Sequence, residues 1–197
     1  MSTVMGDTGK HSNDTSPTAK RRRVDAHPTD SHNKKSKIDT SSKRGYYLMK
    51  SEADVFSIDD LASRDKQIEP WDGVRNHQAK KIMQGMQVGD LAFFWASNTK
   101  KPGIVGVVEV VKTAYPDETQ FDPKSPYYYA KATRDAPVWY NVDVQLKEKF
   151  ETPIYLSDLK QYATKELADM PLFTMKRLSV QHVPEPMWHF ILEQKEY

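Results

Sequence analysis

The stretch "WDGVRNHQAKKIMQGM", from Trp71 to Met86, decides how the rest of the chain is read. Its second half carries Ala79, Ile82, Met83 and Met86 at spacing i, i+3, i+4, i+7, one apolar helical stripe. Lys80, Lys81 and Gln84 fall on the opposite side. Asn76 is the residue type that caps such a helix. The first half has neither helical nor strand periodicity. It sets a large aromatic, an acid, a glycine and an arginine on a loop that feeds a helix N-terminus.

Working outward, "VGD" (Val88 to Asp90) turns the chain out of that helix, and "LAFFWA" begins a buried strand. "SNTKKPG" (Ser97 to Gly103) is a polar hairpin loop. "IVGVVEVV" (Ile104 to Val111) is β-branched and forms the partner strand, with Gly106 at a point of close approach. Upstream, "YYLMK" (Tyr46 to Lys50) is an opening strand. "SIDDLAS" is a short helix capped by Ser57, with Asp59 and Asp60 in its dipole-favoured first turn. Downstream, Thr113 to Pro137 is a long loop rich in Tyr, Pro and Asp. "WYNVDVQLKEKF" alternates, with Tyr140, Val142, Val144 and Leu146 on one face of a half-buried strand. "SDLKQY" reads as a capped helix, "ELADM" as a short helix stopped by Pro171, and "RLSVQHV" as a last strand. "EPMWHFILEQ" is a closing helix that buries Trp188, Ile191 and Leu192. No internal repeat is present. This succession predicts an α+β domain on a small, strongly curved mixed sheet.

Composition divides the chain of 197 residues in two. All 21 aromatic residues lie between Tyr46 and Tyr197, and the first 45 residues hold hardly any Leu, Ile or Val. Such a segment cannot offset the entropy of ordering itself, so 1–45 is expected to be a disordered tail and 46–197 the folded domain. The tail carries 10 Lys/Arg against 5 Asp/Glu and the remainder 19 against 22. The mildly basic balance therefore belongs to the tail, and a nucleic-acid site on the domain must be a local patch. The absence of cysteine excludes disulfides, thiol nucleophiles and thiolate metal sites. No apolar run reaches transmembrane length and the N-terminus has no hydrophobic signal core, so a soluble protein with no membrane partner is expected. In the tail, Lys20, Arg21, Arg22 and Arg23 form one basic cluster, and Lys34, Lys35 and Lys37 a second, ten residues on. That spacing resembles a bipartite nuclear localisation signal, so a nuclear import receptor is the expected partner. A solvated tail with weak affinity for nucleic acid is the plainer alternative.

The segments "YYLMKSE", "WDGVRNHQA", "VGDLAFFWASN", "PGIVGVVEVV", "AYPDETQFD" and "RLSVQ" occur in an order and spacing that resembles the EVE domain family. The resemblance covers Tyr46 to Glu193. It implies a PUA-like pseudobarrel related to the YTH and ASCH domains, and a reader of modified bases, with modified cytosine in DNA the ligand implied first. Two departures stand out: Ala96 where relatives commonly carry His, and Ala53 where Pro is usual.

A reader that withdraws a base must replace its stacking faces and its Watson–Crick hydrogen bonds. A loop Trp71 suits a stacking wall, each such stack contributing about 1–3 kcal/mol. Asp72 can accept from an exocyclic amine, Gly73 lets the backbone come close, and Arg75 offers a planar fork to phosphate; Val74, between them, is expected at the ligand with the rest of the loop. The helix start at Asn76 offers backbone N–H groups to an anion. The YTH pattern, as the resemblance implies, brings Lys50 and Ser51 after the first strand to the base, with Trp71 in its cage; Glu52, the next residue, is expected at the ligand beside them. Ser97 and Asn98 are neutral groups suited to a base edge. Lys80, Lys81, Lys100 and Lys101, with Arg75, are the expected phosphate contacts.

Each residue has a plainer reading. Composition alone favours Trp71 as a core lid. Asp72 and Arg75 can pair with each other as a clamp, and Lys100 and Lys101 can be a solvated hairpin tip. Trp95 and Trp139 read as core, and Tyr127 to Tyr129 as either an aromatic rim or a disordered loop. Among function classes, an enzyme would use Lys50 and Glu52 as a base–acid pair. However, His77, His182 and His189 are scattered, and no Ser-His-Asp or metal-ligand spacing occurs. RNA reading and a protein-interaction module remain alternatives. The expectation is a monomeric, non-catalytic nuclear reader that needs no cofactor or metal.

Overall fold

The computed structural model describes residues 43–195; the two basic clusters of the tail lie outside them. Six strands form one mixed sheet: β1 (Tyr46–Glu52), β2 (Ile68–Pro70), β3 (Leu91–Ser97), β4 (Gly103–Pro116), β5 (Tyr140–Tyr155) and β6 (Val180–His182). Their order across the sheet is β2-β5-β4-β3-β1-β6. Only β1 and β3 pair in parallel, from Tyr46 opposite Leu91 to Glu52 opposite Ser97. The sheet does not close, since β2 and β6 are its two edges. Register shifts between Phe94 and Trp95 and at four places along the β4–β5 pair bend the long strands. Bulges of this kind increase local twist, and here they curl the sheet.

Period-two alternation sends the central strands into two cores. Tyr47, Met49, Ala92 and Phe94 pack under α2 (His77–Gly85) with Ala79, Met83 and Met86. Leu48, Phe93 and Trp95 pack on the other face under α5 (Glu185–Glu193), where Trp188 stacks on Phe93 at 3.9 Å between ring centres. With both faces covered, "LAFFWA" has to be apolar throughout rather than alternating.

α1 (Ile58–Ser63), α2 and α5 follow their sequence signals, whereas the helix expected at "SDLKQY" starts earlier, at Leu156 behind Tyr155, and the one expected at "ELADM" is absent. α1 begins at a reciprocal capping box between Ser57 and Asp60. For α2, Asn76 Oδ1 accepts from the backbone N–H groups of Gln78 and Ala79, each at 2.9 Å. α3 (Leu156–Lys160) is one short turn of helix. The expected helix at "ELADM" is instead a run of turns, and Pro171 starts α4 (Pro171–Thr174) rather than stopping a helix before it. Proline at the first helical position has no N–H to lose and a φ already suited to the helix.

The Thr113 to Pro137 stretch is ordered by buried polar side chains. β4 continues to Pro116, and a short 3-10 helix spans Glu118–Phe121. Fully buried Gln120 donates to the carbonyls of Asp117 and Trp139 and accepts from the amides of Val138 and Trp139, at 2.8–2.9 Å. These four bonds close the loop onto the start of β5.

Candidate functional site

The loop before α2 is held from three sides. The Trp71 amide donates to the Val142 carbonyl at 2.8 Å, which docks the loop on β5. The Trp71 indole is 7% exposed and meets Phe94 edge-on, 5.2 Å between ring centres and 81° between planes. Gly73 has φ of +71°, and a Cβ there would stand 2.7 Å from the Tyr127 ring, so both conformation and space require glycine. Its amide donates to Asp117 at 3.0 Å.

Arg75 is the hub of this arrangement. Nη1 donates to the Asp117 carboxylate at 2.7 Å, Nη2 to Thr119 Oγ1 at 2.9 Å, and Nε and Nη2 to the Tyr127 carbonyl at 2.9 and 2.6 Å. The guanidinium also lies 5.5 Å from the ring centres of Tyr127 and Trp139. Burial alone would raise the Asp117 carboxyl, but the Arg75 and Thr119 hydrogen bonds prevail and hold it below its ordinary range. The clamp is therefore Arg75 with Asp117, not Arg75 with Asp72.

This scaffold shapes a cavity of about 530 Å³. Lys50, Ser51, Glu52 and the whole run Trp71, Asp72, Gly73, Val74, Arg75 and Asn76 line it, so the structure gathers these expected residues at one place. Phe56, Val55, Arg64, Glu69, Pro70, Tyr127 and Ser179 complete the wall. Tyr127 was legible only as one of three tyrosines in a loop, and Phe56 and Ser179 carried no signal in the sequence.

Two charges inside are perturbed. Withdrawal from water pushes the Lys50 ammonium below the usual lysine range; its Nζ donates to the Lys176 carbonyl at 3.0 Å. Asp72 keeps access to solvent, yet the displaced water holds its carboxyl above the usual range. Repulsion from Asp117 and Glu69 adds to that shift, and Arg75 opposes it. Arg64 pairs with Glu69 at 3.0 Å on the same wall.

Other expected contacts are arranged differently. Ser97 Oγ donates to the Ser51 carbonyl at 2.8 Å, and Asn98 donates to Asp54 at 3.0–3.1 Å; neither lines the cavity. They tie the β3–β4 hairpin to the end of β1 and the loop after it, where the Ala53 amide also donates to the Ser97 carbonyl at 3.0 Å, a bond proline could not make. The donors of Arg75 are committed within the protein and do not present a fork to phosphate. Two of the helix-start amides are already capped by Asn76. Lys80 donates to the Val138 carbonyl at 3.0 Å and lies against Trp139, so it holds the start of β5. Lys81, Lys100 and Lys101 are exposed and outside the cavity wall. Trp95 and Trp139 are core residues, 3% and 4% exposed. Among the described residues no group of three His, Cys, Asp or Glu side chains could hold a metal, and no helix is long and apolar enough to cross a membrane.

This open, curved mixed sheet, flanked by short helices and with a walled cavity beside its first strand, has counterparts among known proteins. The EVE domain model matches residues 45–194, and the chain belongs to that family. Its relatives include mouse thymocyte nuclear protein 1, 43% identical over 166 residues, which span 77% of this chain and 74% of that protein. The crystal structure of the DUF55 domain of human thymocyte nuclear protein 1 superposes with a TM-score of 0.74 at 43% identity, covering 77% of this chain and 98% of that one. The crystal structure of human THYN1 protein in complex with 5-methylcytosine-containing DNA superposes at 0.75 and 40% identity, covering 78% and 98%.

Proposed function

We propose that this protein is a non-catalytic nuclear reader that holds a flipped modified base, modified cytosine in DNA, in the cavity beside Trp71. The observation that carries this reading is the cavity itself: an aromatic wall of Trp71, Phe56 and Tyr127 beside the carboxylates of Asp72 and Glu52, which have no hydrogen-bond or ion-pair partner among the described residues. Aromatic faces replace the stack, whatever the base. Asp72 accepts from the exocyclic amine of cytosine, and Lys50 donates to an acceptor on the base or its phosphate. A 5-substituent on the pyrimidine adds apolar contact against the aromatic wall. The complex of a 40%-identical relative with 5-methylcytosine DNA supports the same ligand class. The relatives' name supports a nuclear setting. The basic tail would bring the chain to an import receptor, and the domain would act as a monomer.

The test is a titration of the full chain, at fixed salt, with DNA and RNA oligonucleotides carrying unmodified, methylated or hydroxymethylated cytosine, with methylated adenine as control. The expected result is tighter binding of modified cytosine in DNA. Equal affinity for every base would overturn the reading, and preference for the RNA series would transfer it to RNA. Deleting 1–44 should abolish nuclear accumulation and lower the salt dependence of binding; unchanged accumulation would remove the role of the tail in import.

A further inference from the structure

Four large hydrophobic residues are exposed among the described residues: Val55, Val88, Tyr128 and, at 39%, Met175. Only Met175 is followed by two consecutive cations, Lys176 and Arg177, both exposed. Among the described residues neither enters an ion pair or makes a side-chain hydrogen bond, and both charges face solvent. The turn that carries the three residues is held firmly from beneath. Gln181 is fully buried, and its amide donates to the carbonyls of Met175 and Leu178, each at 3.1 Å. The Leu178 amide closes the turn on the Met175 carbonyl at 3.0 Å, and Leu178 itself is core. The same amide reaches the Pro171 carbonyl at 3.5 Å, so one buried side chain ties the turn to the start of α4.

The turn also borders the cavity. Lys50, on the cavity wall, donates from Nζ to the Lys176 carbonyl at 3.0 Å and from its backbone amide to the Ser179 carbonyl at 2.8 Å. Ser179 is itself a wall residue. A thioether side chain and two cations, all exposed, therefore stand on this turn at the rim of the site.

We propose that the Met175–Leu178 turn is a second DNA contact: Met175 enters the gap left in a duplex by the withdrawn base, and Lys176 and Arg177 hold the flanking phosphates. The proposal rests on the reading of the cavity given above. A duplex that loses a base from its stack exposes two apolar base faces, and unbranched methionine is among the residues that wedge between base steps. The flanking phosphates are the complement of the two exposed charges.

The experiment compares the full chain with Met175→Ala and with a Lys176→Ala, Arg177→Ala double variant, on one sequence with and without a single 5-methylcytosine, as duplex and as single strand. Met175 lies outside both cores, so each variant should melt with the parent. Met175→Ala should weaken duplex binding roughly tenfold and leave single-strand binding within about twofold, because only the duplex has a gap to fill. The double variant should reduce the slope of log K against log salt on duplex by about 1.8, two phosphates' worth. Equal effects of Met175→Ala on both forms, no effect on either, or an unchanged salt slope would overturn the proposal. If the parent chain shows no preference for the methylated base even on the single strand, the reading of the cavity fails and this proposal falls with it. If that preference stands while Met175→Ala is silent, the wedge alone is wrong.

Discussion

Replacing Arg75 by alanine separates a structural clamp from a phosphate contact. Asp117 is 1% exposed and the Arg75 side chain 22% exposed, so their 2.7 Å pair sits largely out of water. Removing one partner of such a pair leaves a buried carboxylate uncompensated, which costs about 3–5 kcal/mol. Thr119 and the Gly73 amide still donate to Asp117, which keeps the loss toward the lower end. For a domain of this size the melting temperature should fall by roughly 6–20 °C. The effect should also depend on pH. Asp117 has a lowered carboxyl pKa in the folded state. Its contribution is therefore present above the unfolded-state value, about 3.9, and is lost as pH falls through the lower folded value. The gap between parent and Arg75→Ala should narrow in acid. Thermal unfolding of both proteins between neutral and acid pH is the assay. A variant that melts with its parent at pH 7 while losing about one unit of salt slope in DNA binding would refute the clamp and restore Arg75 as a phosphate ligand.

The other predictions concern the cavity wall. Gly73→Ala must adopt a φ of +71° and displace the Tyr127 ring, so it should lower both the melting temperature and affinity for the modified base; an unchanged protein by both measures would show that Tyr127 is not seated as described. Asp72→Asn should melt higher than the parent at pH 7. The raised folded pKa of Asp72 means that its contribution is intact below the unfolded value and is lost as pH rises through the folded one. The gain should vanish below about pH 4, and a variant that is less stable at neutral pH would contradict this. Trp71→Ala should cost about 3–5 kcal/mol of stability, because the indole belongs to the core as well as to the wall. Trp71→Phe should keep most of the fold and some preference for modified cytosine; complete loss of folding in both would leave Trp71 a core residue only.

The sheet was legible because its signals are local. The unbroken apolar "LAFFWA", the β-branched "IVGVVEVV" and the Asn76 and Ser57 caps each mark an element within a few residues. Much of the wall was legible in the loop at 71–76, where an aromatic and a glycine stand outside any periodic pattern. What escaped were interactions between residues far apart in the chain. Arg75 meets Asp117 and the Tyr127 carbonyl across 42 and 52 residues, and no spacing rule links them. Gln120 and Gln181 order two surface segments from buried positions that a hydrophobicity pattern assigns to loops or sheet edges. Ser97 and Asn98 had the right chemistry for a base edge, but the Ser51 carbonyl at the end of β1 and the Asp54 carboxylate just beyond it take their bonds. "ELADM" is a run of turns, and the Pro171 that follows it opens α4, since at a first helical position proline starts a helix as readily as it stops one elsewhere.

Four tryptophans in distinct surroundings provide the most direct test of the central claim, because only Trp71 lines the cavity. The indole N–H resonances of the full chain would be followed by NMR during titration with DNA bearing one 5-methylcytosine. The base-reading account predicts that the Trp71 signal moves or broadens while those of Trp95, Trp139 and Trp188 hold still. A bound complex in which Trp71 stays fixed, or in which all four signals shift alike, would contradict it.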